Sequence, residues 1–147
     1  MKRWFNWGIV AVVICSILAV CLHKENRPFA DFSPNDITSI EFQGRIQQNG
    51  EWVAWTYELS GEEQTELLGL LSQVIIYQES PPEGILGAPS RMFTLTTNSG
   101  ELLSVGVSQS YLFVDDVRYE AETETCLAVS EFYNAIQEEQ RGLHGTE

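Results

Sequence analysis

Apolar and polar residues alternate with a period of two through "ITSIEFQGRIQQNGEWVAWTYEL", residues 37–59. Ile40, Phe42 and Ile46 share one face before Asn49-Gly50, and Val53, Trp55, Tyr57 and Leu59 share one face after it. Glu41, Gln43, Thr56 and Glu58 take the other side. That spacing describes strands with one buried face, and Asn-Gly suits a two-residue hairpin turn that needs positive φ. Gly44 is read as a bulge.

The period then changes. In "SGEEQTELLGLLSQ", Ser60 and Glu63 form a capping-box pair, and Leu67, Leu68, Leu71 and Val74 fall on one helical stripe. "VIIYQE" reads as a strand, and "SPPEGILGAPS", residues 80–90, as a loop that can sustain neither helix nor central strand. A second hairpin is expected in "RMFTLTTNSGELLSVGV", turning at Asn98-Ser99-Gly100, with Phe93 and Leu95 facing Leu103, Val105 and Val107. A third is expected in "YLFVDDVRYE", bending at Asp115-Asp116. "ETCLAVSEFYNAIQEEQ" carries Val129, Phe132, Tyr133 and Ile136 on the apolar stripe of a last helix, and Gly142 and Gly145 are read as ending order. The order ββ-α-β-ββββ-α predicts an α+β fold, an antiparallel sheet of about six or seven strands with two helices on one face.

Ahead of this domain, Trp4 to Leu22 carry no charge. As a helix rising about 1.5 Å per residue they reach roughly 28 Å, close to the thickness of a hydrocarbon core. Trp4 and Trp7 stand where indoles favour the headgroup layer. Residues 1–22 are therefore read as an N-terminal transmembrane helix and signal anchor, 23–36 as a tether, 37–141 as one α+β domain, and 142–147 as a disordered tail. Retention of the segment is the preferred fate. Cleavage is the least favoured, because nothing from Leu18 to Arg27 offers an A-x-A-like pair. The third fate rests on Leu18-Ala19-Val20-Cys21, which resembles the lipobox of bacterial lipoproteins. That resemblance implies acylation at Cys21, although Val20 stands where the pattern has Gly, Ala or Ser.

Charge divides the chain of 147 residues. Lys2, Arg3, Lys24 and Arg27 against Glu25 give the first 27 residues a net of +3. The rest holds four arginines against four aspartates and sixteen glutamates, a net of −16, with no lysine after Lys24. Such a surface repels nucleic-acid phosphate and does not lie flat on an anionic membrane, so no nucleic-acid partner is expected. The basic residues flanking the apolar run nearly tie under the positive-inside rule. The layout of an export signal favours placing the acidic domain outside the cytoplasm.

Chemistry is read by elimination. His23 falls in the tether and His144 in the tail, so no histidine base is expected inside the fold. The domain has no lysine for a Schiff base or a Ser-Lys pair, and "SGEEQ" puts acids, the wrong sign, where an anionic phosphate would dock. Asp115 and Asp116 read as a hairpin bend. With Glu120, Glu122 and Glu124 they crowd carboxylates into ten residues, but the spacing matches no EF-hand loop. Cys126 reads as an inert, partly buried thiol. Trp52, on the face opposite Trp55, is the one candidate recognition anchor.

No catalytic, cofactor-binding or metal-binding residue is therefore assigned. The expectation is a membrane-tethered, non-catalytic, extracytoplasmic module, a binding or accessory domain of unknown ligand, with the membrane as one partner through the N-terminal helix and a protein as a candidate second. Two alternatives stay open. One is a carboxylate-dependent enzyme. The other is a cytosol-facing subunit of a membrane complex, with Gly8, Ala11 and Ser16 allowing close helix approach.

Overall fold

A computed structural model describes residues 26–48, 50–80 and 92–144. Its first hairpin joins β1 (Ile37–Gln48) to β2 (Glu51–Glu58), with Gln48 opposite Glu51 and Glu41 opposite Glu58. Gly50 sits at φ 85, the left-handed conformation that makes glycine the economical residue in this turn.

The expected bulge at Gly44 does not form: the register runs unbroken through Gly44 opposite Trp55. Glycine serves there by lacking a side chain. A Cβ would lie 2.5 Å from the Trp55 indole, which crosses that position and packs on Phe42 at 5.0 Å between centroids. The irregularity in β1 falls instead between Ile37 and Ser39, against β4.

After β2 comes α1 (Gly61–Leu71), capped reciprocally by Ser60 and Glu63 as the spacing implies. It is followed by β3 (Ile76–Glu79), β4 (Met92–Thr97) and β5 (Leu102–Ser108). The chain continues through β6 (Tyr111–Val114) and β7 (Val117–Ala121) into α2 (Thr123–His144). Every strand pairing is antiparallel, and the seven strands lie in the order β2-β1-β4-β5-β6-β7-β3. The α+β architecture is thus the expected one. Its strand order is not local, because β1 pairs with both β2 and β4 while β3 crosses to the far edge against β7.

The core lies between one sheet face and the helices. Ile40, Phe42, Phe93, Leu95, Val105 and Leu112 from the strands are buried. They meet Leu67, Leu68 and Leu71 of α1 and Cys126, Val129 and Tyr133 of α2. Tyr133 also anchors α2 to β1, its hydroxyl donating to the Gln43 carbonyl at 3.0 Å. Val53, near the hairpin tip, is exposed, so the core side of β2 thins away from the helices.

Two boundaries differ from the sequence reading. Residues 26–36, taken above as the far part of a tether, pack on the domain. The Asn26 carbonyl accepts from the Ile76 N–H, Phe29 enters the core, and Ser33 caps a short 3-10 turn over Pro34–Asp36. Phe32 packs edge-on against Phe29 at 5.4 Å. At the other end, α2 runs through Gly142 to His144. One glycine costs a helix only about 1 kcal/mol, too little to end it there. The N-terminal apolar segment, the loop 81–91 and residues 145–147 lie outside the described residues.

Candidate functional site

The sheet face away from the helices carries one built polar cluster. Arg118 of β7 donates from Nη2 to Ser80 Oγ at 2.7 Å, and its guanidinium carbon lies 4.9 Å from the centre of the Tyr111 ring. Ser80 follows β3, and its own N–H donates to the Arg118 carbonyl. Beside them Gln78 donates to the Glu120 carboxylate at 3.0 Å. A serine hydroxyl becomes a nucleophile when a base takes its proton. Here Ser80 Oγ accepts from a guanidinium, and among the described residues no base is seen to take its proton. The cluster ties the β3–β7 edge together.

Among the described residues, the candidate carboxylates from the sequence do not converge. Asp115 sits at φ 52 in the β6–β7 turn, and its Oδ1 accepts from the Ser104 N–H at 2.9 Å while its own N–H donates to the Ser104 carbonyl. Its carboxylate therefore stitches the turn to β5. Asp116 is exposed beside it. Glu122 and Glu124 lie beyond the opposite end of β7, and Glu120 is held by Gln78. Five residues of strand separate the two ends, roughly 16 Å. Among the described residues no group of three His, Cys, Asp or Glu side chains is placed to hold a metal ion. His144 ends α2, while the side chains of His144 and Trp52 lie outside the described set, as do Cys21 and His23. Trp52 keeps its register position opposite Gln47.

Cys126 is buried in the first turns of α2. Burial first, and the Glu122 carboxylate second, push its thiol from 9.0 up to about 11. The unfolded chain therefore loses this proton at lower pH than the folded one. The stability so contributed is complete below pH 9 and is lost as pH rises from 9 through about 11. At pH 8.5 the thiolate fraction falls on the order of 100-fold relative to an ordinary cysteine. Iodoacetamide labelling of Cys126, mapped by peptide mass against Cys15 and Cys21, is expected to slow accordingly and to recover on unfolding.

Two features escape sequence reading. Tyr57 donates to the capping carboxylate of Glu63 at 3.1 Å, joining β2 to the start of α1. Partial burial, that hydrogen bond and the charges of Glu63 and Glu139 raise its phenol pKa. The only local signal was Tyr57 on the core face six residues before a capping glutamate.

The second feature is the outer edge of β2, which no other strand covers among the described residues. Leu59 donates to the Ile40 carbonyl, opposite it in the extended register, which marks that pair as hydrogen-bonded. Antiparallel pairs alternate, so Tyr57, Trp55 and Val53 bond to β1, while Ala54, Thr56 and Glu58 turn their N–H and C=O groups outward. β2 is an outermost strand, and all three of these residues are exposed. The opposite edge, β3, meets the incoming chain at Asn26.

No family model, curated protein or solved structure matches this chain. Among the described residues no helix is long and apolar enough to cross a membrane.

Proposed function

We propose that this protein is a membrane-tethered, non-catalytic, extracytoplasmic module that acts by binding another protein. The observation that carries this reading is the spacing between the apolar run and the folded domain. Leu22 ends the run, and Asn26 is already bonded to β3, with only His23, Lys24 and Glu25 between them. Four peptide links reach at most roughly 14 Å, so an embedded Trp4–Leu22 segment holds the β3 edge close to the headgroups. The rest of the domain, at −16, is repelled by anionic lipid and stands off from it. The use of Asp115 to tie the β6–β7 turn to β5, and the separation of the described carboxylates to the two ends of β7, support binding over chemistry.

The test combines topology and terminus. The full chain expressed in a bacterial envelope is expected to pellet with membranes and to resist extraction by alkaline carbonate. Its domain should be cut by protease added to the outside of intact cells. Mass spectrometry of the amino terminus then distinguishes an intact Met1 and an acylated Cys21, both of which keep the tether, from a new unmodified terminus, which removes it. A full-length, lipid-free chain in the soluble fraction overturns the reading, and protection from protease until lysis overturns the outside placement.

A further inference from the structure

We propose that the free edge of β2 is the docking strand of this module, taking an extended segment of a basic protein by antiparallel strand addition. This rests on the tethered-binding reading above and names its surface and the chemistry of its partner. Three observations carry it.

The first is the ladder. The outward N–H and C=O groups of Ala54, Thr56 and Glu58 form a template for main-chain hydrogen bonds, which supply affinity in strand addition. Folded proteins ordinarily blunt such an edge with lysine, proline, a bulge or a covering element. β2 has eight residues, charge only at its two ends in Glu51 and Glu58, no lysine or proline, an unbroken register and, among the described residues, no strand outside it.

The second is charge. β2 is bounded by Glu51 and Glu58, Glu58 stands opposite Glu41 on β1, and Glu62 opens the adjoining helix. A second copy of this chain brings another −16 domain to the same edge and is opposed by like charge. A strand with lysine or arginine beside Glu51 and Glu58 is favoured, by charge complementarity that selects partner and register.

The third is position. Asn26 enters the fold at β3, and β2 lies at the other end of the seven-stranded sheet, six strand spacings or roughly 29 Å away. The edge nearest the tether is occupied by the incoming chain. The far edge is the one offered to a partner.

The test uses the full chain in phosphatidylcholine nanodiscs and, as probe, an eight-residue peptide of alternating threonine and valine with lysine at both ends. Hydrogen exchange at the Ala54, Thr56 and Glu58 amides is expected to slow on adding it. The same peptide with glutamate at both ends should bind roughly tenfold more weakly, two ion pairs being replaced by two repulsions. The E51K/E58K variant should reverse that preference. Thr56→Pro removes an outward donor without touching the β1 ladder and should abolish the protection. A lysine-ended peptide N-methylated on its β2-facing amides should likewise fail on the unmodified protein, so the question survives even if the proline variant does not fold.

Absence of protection at millimolar peptide, equal protection by both charge forms, or self-association through β2 without peptide would each overturn the proposal. Failure of the tether is read separately, as chain that stays out of the nanodiscs. The peptide measurements then proceed on that soluble chain, so the two ideas can fail independently.

Discussion

Replacing Phe29 with alanine is expected to cost about 3–5 kcal/mol of unfolding free energy, the range for removing a buried phenylalanine ring. The residue is 2% exposed and belongs to the same core as Phe42 and Leu67, although it lies eight residues before the first strand. Its ring meets that of Phe32 in a T-shaped contact at 5.4 Å. Asp31→Ala, two residues away and exposed, serves as the control and should change stability by no more than about 0.5 kcal/mol. Urea unfolding of the full chain in mild detergent, followed by circular dichroism, measures both. If Phe29→Ala proves as silent as its neighbour, residues 26–36 are a tether after all, and the short span between bilayer and domain is lost with them.

Phe42→Ala should destabilise by a similar or larger amount. Phe42 is fully buried at the centre of β1, between β2 and β4. Its ring lies 4.3 Å from that of Tyr133, 5.0 Å from that of Trp55 and 5.7 Å from that of Phe93. One side chain thus joins three strands to α2, and an aromatic pair contributes about 0.5–1.5 kcal/mol beyond the area it buries. Truncation leaves a cavity that the Trp55 indole cannot simply fill, because it is already seated across Gly44. Near-UV circular dichroism should weaken along with the loss of about 3–5 kcal/mol, because the rings lose their fixed surroundings. Retained stability together with an unchanged near-UV spectrum would show that Phe42 is not the central packing element.

These two phenylalanines differ in how readily the sequence discloses them. Phe42 sits in strict alternation with Ile40 and is legible as a core residue. Phe29 sits in "HKENRPFADFSPND", which has two prolines and no period. Its burial depends on a surface built by residues far along the chain. Gly44 and Gly142 show the same divide. Gly44 takes its meaning from the indole of the facing strand, and Gly142 stays helical at a modest propensity penalty. The candidate site follows suit. Glu51, Glu58 and the run of β2 are plain in the sequence, but whether the strand's outer ladder is covered depends on which strands become neighbours.

Turn chemistry at Asn49-Gly50, the Ser60–Glu63 cap, the period-two strands and the 3.6-residue stripe of α2 are local properties. The sequence by itself therefore determined the elements, their class and the acidic character of the domain. Only the tertiary structure decided that β1 lies between β2 and β4, that β3 crosses to the far edge beside the incoming chain, and that β2 has no strand outside it among the described residues. The physical reason is that those outcomes depend on the matching of whole faces across the core. They are settled by burial shared among segments tens of residues apart, which no local window of the chain contains.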